Sequence, residues 1–83
     1  MNKEEFKIME KRIQEIINNG IETVERYENI VTNLSNKIEF CKLHKFLEEE
    51  RITRVKLESV EMIVYRYRLM LNQLQETLNT EKS

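Results

Sequence analysis

Residues 57–78, LESVEMIVYRYRLMLNQLQETL, place Leu57, Val64, Leu71 and Leu78 seven apart, with Val60, Tyr67 and Leu74 three residues after the first three. Alternating steps of three and four bring a side chain back to one face of an α-helix at every turn. A second series precedes it. Ile17, Val24, Val31 and Ile38 are also seven apart, and Ile13, Tyr27, Leu34 and Cys41 occupy the companion positions. Each half of the chain therefore reads as an amphipathic helix with a coiled-coil seam. The seam residues are Ile17, Val24, Tyr27, Val31, Leu34 and Ile38 in the first half, and Leu57, Val60, Val64, Tyr67, Leu71 and Leu74 in the second.

Outward from these series, the first helix has a clear start. Asn2 is a capping residue and Glu5 stands three further on, the spacing of a capping box, with Met1 and Phe6 at the positions of a hydrophobic staple. Asn18-Asn19-Gly20 looks locally like a helix end, but the apolar phase is the same before and after it, so a continuous helix is expected through Gly20. Phase is lost between Cys41 and Leu57: extending the first register would place Lys45, Glu48, Ser59 and Arg66 in the seam. A turn is expected there, with Thr53 as the cap of the second helix. The expected organisation is one all-α domain over residues 1–83: helix one about 3–43, turn region 44–53, helix two about 54–79. A three-helix arrangement broken at Gly20 and one continuous rod are the alternatives.

The apolar stripes are wider than a two-stranded seam requires. Ile16 and Ile30 widen the first, and Ile63 and Met70 widen the second. Val55, Met62 and Leu69, seven apart with Tyr65 close by, form a further stripe about 140° around from the Leu57 line at 100° per residue. Such width suits helices in a bundle of three or four. The fold expectation is thus an antiparallel helical hairpin with heptad seams that pairs into a four-helix bundle as a homodimer. Val55, Met62, Tyr65 and Leu69 are the candidate partner or oligomer interface.

Composition narrows the function classes. Fourteen Lys and Arg face fifteen acidic residues, a net charge of −1, so no long-range field draws the chain to nucleic acid or acidic lipid. One cysteine excludes an internal disulfide, and the charged start MNKEEFK is no secretory signal, so a cytoplasmic protein is expected. No apolar run reaches the roughly 20 residues of a membrane span, so no membrane association is expected.

Cys41, His44 and Glu48 share helical spacing, but the thiol already fills a seam position; no metal and no cofactor are expected. No oxyanion-hole loop or phosphate-binding loop is visible, so no catalytic residue is assigned and an enzyme is not expected. The expected function is a non-enzymatic protein–protein interaction module that self-associates and acts as a small adaptor, scaffold or inhibitor, its protein partner unidentified. The lesser alternative is a dimeric nucleic-acid-binding regulator using Arg51, Arg54, Lys56, Arg66 and Arg68 near the turn.

Overall fold

The computed structural model describes residues 2–82. They form two α-helices, α1 (Lys3–Leu43) and α2 (Leu47–Lys82), folded back on each other into a hairpin of 63 × 15 × 15 Å. Helix α1 begins as its sequence dictates: Glu5 N–H donates to Asn2 Oδ1 at 2.8 Å, and Glu4 and Glu5 lie at the positive end of the helix dipole. The staple expected between Met1 and Phe6 involves Met1, which lies outside the described residues. The helix runs through Gly20 without a break, which excludes the three-helix arrangement, and the return of α2 along α1 excludes the continuous rod.

The connection is much shorter than the 44–53 expected. Only His44, Lys45 and Phe46 lie between the helices, and α2 starts at Leu47 rather than near 54. Helix α1 ends in a Schellman motif, in which Phe46 N–H donates to Cys41 O (2.9 Å) and Lys45 N–H donates to Lys42 O (3.2 Å). Lys45 takes the left-handed conformation that this motif needs (φ 59°), a place where glycine is usual. Phe46 O accepts the first bond of α2, from Glu50 N–H at 2.9 Å. Glu48, Glu49 and Glu50 fill the first turn, where the helix dipole favours carboxylates.

Thr53 is accordingly no cap. It lies inside α2 and is fully buried, its hydroxyl donating to Glu49 O at 2.6 Å. Its spacing explains this: Thr53 stands four before Leu57 and seven before Val60, so it extends the inner row of α2 towards the turn.

The core is a thin layer between the helices. Ile17, Gly20, Val24, Ile38 and Cys41 of α1 are buried, as are Thr53, Val64 and Leu78 of α2. Tyr27, Val31, Leu34, Leu57, Val60, Tyr67, Leu71 and Leu74 are half-buried. The rings of Tyr27 and Tyr67 meet across the interface at 6.1 Å in a tilted arrangement. Gly20 fills the inner position between Ile13 and Tyr27, and a Cβ there would lie 2.5 Å from Leu71 Cδ2. The missing side chain is therefore what admits Leu71. This contact sets the antiparallel register: Gly20 stands level with Leu71, and Ile17 with Leu74.

Candidate interaction surfaces

Two flanks border the packed faces, and two ion pairs across the hairpin tell them apart. Lys37 Nζ reaches Glu49 Oε2 at 3.8 Å on one flank, and Arg68 pairs with Glu28 on the other. Steps of seven from these residues trace the rows of each flank. The Arg68–Glu28 flank carries Ser35, Lys42, Arg54, Glu61 and Gln75, with Ile21 as its large apolar residue. A shallow groove of about 440 Å³ opens there beside Glu28, Thr32, Glu61, Tyr65 and Arg68.

The Lys37–Glu49 flank differs. Steps of seven from Lys37 reach Ile30, Thr23 and Ile16, and from Glu49 they reach Lys56, Ile63 and Met70. Ile16, Ile30, Ile63 and Met70 are 38–50% exposed, so both helices contribute apolar side chains to one open face.

A second apolar surface lies on the back of α2, turned away from α1. Val55, Met62 and Leu69 lie there, 48–55% exposed, and Tyr65, 66% exposed, stands at its edge, where it also lines the groove beside Glu28 and Thr32 of α1. Three of the four sequence-derived candidates thus share the back row, while Tyr65 is offset towards the Arg68 flank. The twelve residues assigned to the seams are all buried or half-buried.

The hairpin tip is a third surface, and sequence reasoning missed it. Phe40, Leu43, Phe46 and Leu47 are 51–79% exposed, and the His44 ring lies 4.3 Å from Phe40 and 5.9 Å from Phe46. Phe40, Leu43 and Leu47 do repeat the three-four spacing, a row the seam reading passed over; Phe46 and His44 join them only through the turn.

Three of the basic residues around the turn are paired with glutamates. Arg51 pairs with Glu48 at 2.6 Å, Arg54 with Glu50 at 3.5 Å and Lys42 with Glu39 at 3.5 Å. Arg68 is held by Glu28. Lys56 lies on the opposite flank from Arg54 and Arg68, and Arg66 is twelve residues beyond Arg54, about 18 Å along the helix. Five scattered cations, three of them paired with carboxylates, make a poor counterpart for a phosphate backbone.

Cys41 is buried and His44 caps α1 while contacting two aromatic rings. Among the described residues, no three of His, Cys, Asp and Glu stand where they could hold a metal ion. No helix among these residues is long and apolar enough to cross a membrane. No family model, curated protein or solved structure matches the chain.

Proposed function

We propose that this protein is a non-enzymatic helical interaction module, which self-associates into a four-helix bundle and serves as a small adaptor, scaffold or inhibitor of another protein. The observation that carries this reading is surface area. A compact monomer of 10.2 kDa exposes about 5,300 Å². The hairpin exposes 6742 Å², roughly a quarter more. The excess exceeds the ~800 Å² that each partner commonly buries in a stable complex. Large aliphatic and aromatic side chains on the Lys37–Glu49 flank, the back of α2 and the tip supply apolar area for it.

Association through one surface leaves others for a different protein. The back of α2 suits that role: Met62 adapts in shape, and Tyr65 offers an amphipathic ring. A reducing, cytoplasmic setting suits the unpaired Cys41. The pairing of Arg51, Arg54 and Lys42 with glutamates argues against the nucleic-acid alternative.

Light scattering across a wide concentration range tests self-association. A molar mass near twice 10.2 kDa is expected, and a mass of 10.2 kDa at every concentration would refute it.

A further inference from the structure

We infer that two copies pair through the flank bearing Ile16, Ile30, Ile63 and Met70, about a two-fold axis running across the helices, so that their tips lie at opposite ends of the bundle. This deepens the self-association reading and rests on it. Three observations on the hairpin select this occupant and this orientation.

The first is the composition of the flank. It draws an apolar row from each helix, so pairing there brings four helices into contact at once, whereas the back of α2 offers one helix only. The opposite flank is closed to such packing by the charged Glu28, Glu61, Arg54 and Arg68 along it.

The second is self-complementarity. A two-fold interface must match one patch to itself. Position 23 is midway between Ile16 and Ile30, and also midway along α1 (Lys3–Leu43). With Gly20 level with Leu71, the midpoint of Ile63 and Met70 falls within about two residues of that height, roughly 3 Å. An axis across the helices at this level sets Ile16 against Ile30 of the partner subunit, and Ile63 against Met70 of the partner subunit. Full-length helices overlap. Thr23 lies at the axis, its hydroxyl already donating to Asn19 O at 3.0 Å, so closing the interface strands no donor there.

The third is charge. An axis along the helices would also bring the apolar residues together, but it would set Lys37 against Lys56 of the partner subunit, and do so twice. Like charges facing across an interface disfavour that arrangement. The crosswise axis sends Lys37 and Lys56 instead towards the open end of the second copy, where Met9 and Thr77 carry no charge; it sets Arg66, near the axis, beside Arg66 of the partner subunit, a single like-charge contact against two between lysines.

The test places one spin label on each tip, at Lys45→Cys in a Cys41→Ala chain, and reads the distance between labels by electron double resonance. Helix content by circular dichroism and mass by light scattering are measured on the same sample. A dimer with labels separated by about the 63 Å length of the hairpin is the expected result. A dimer with labels within roughly 20 Å, about two helix diameters, overturns the crosswise axis. A monomeric mass in the unsubstituted protein overturns self-association itself, and the inference with it.

Two further variants, made without replacing Cys41, test the face. Ile30→Glu with Ile63→Glu should weaken the dimer at least a hundredfold while keeping helix content. Met62→Glu with Leu69→Glu should leave its mass unchanged. The reverse pattern would assign the interface to the back of α2 and overturn the proposal.

Discussion

At the scale of single residues, two positions depart from what their side chains prefer, and both are set by the hairpin. Gly20 gives up about 1 kcal/mol of helix propensity relative to Ala. In return Leu71 enters the space that its Cβ would occupy. Gly20→Leu should therefore destabilise the fold by about 1–3 kcal/mol through overpacking. Urea unfolding would measure the loss, and adding Leu71→Ala should recover part of it because the two side chains compete for one space. Equal losses in the single and double variants would mean that Leu71 does not set the local fit. Lys45 presents the opposite case: a Cβ-bearing residue in the left-handed conformation, which costs on the order of 1 kcal/mol. Lys45→Gly should raise the urea midpoint by a corresponding amount, and Lys45→Val should lower it.

At the scale of the elements, Leu47 and Thr53 are rival starts for α2, and proline tells them apart. Leu47 occupies the first helical position, where proline is well tolerated; Thr53 lies a turn and a half inside. Leu47→Pro should change stability by less than about 1 kcal/mol, whereas Thr53→Pro should cost about 3 kcal/mol or more. Thermal melts followed by circular dichroism would rank them, and the opposite order would return the helix start to the mid-fifties. Both inner rows were legible in the sequence because a packed helix face repeats every three or four residues, and the Asn2 cap was legible because its side chain makes the bond. The connection was not. A Schellman motif is made by backbone groups, and Lys45 gives no local sign of a positive φ. Thr53 misled because a hydroxyl residue after a charged run resembles a cap, although its seven-residue spacing from Val60 already pointed inward. The Val55–Leu69 stripe could be read from spacing, and so could Phe40, Leu43 and Leu47, whereas the ring contacts of His44 and Phe46 with Phe40 exist only once the chain has turned back.

At the scale of the whole molecule, a rod 63 Å long and 15 Å wide has too little interior to hide the apolar side chains it carries. Its charged pairs do not change this balance. Glu28–Arg68 and Lys37–Glu49 are solvent-exposed, and such pairs contribute about 0–1 kcal/mol, less as salt screens them. Stability should therefore come from apolar burial completed by a second copy, with two measurable consequences. The thermal midpoint should rise with protein concentration, because mass action favours the folded dimer by up to about 1.4 kcal/mol for each tenfold increase. Raising sodium chloride from about 0.1 M to about 1 M should leave the dimer mass unchanged, since the Debye length shrinks from about 10 Å to about 3 Å without weakening an apolar contact. Calorimetry across a hundredfold concentration range, with light scattering at both salt levels, would check the two together. A midpoint independent of concentration would mean that the hairpin folds without a second copy. Dissociation at high salt would place the association energy in charges rather than in the apolar flank.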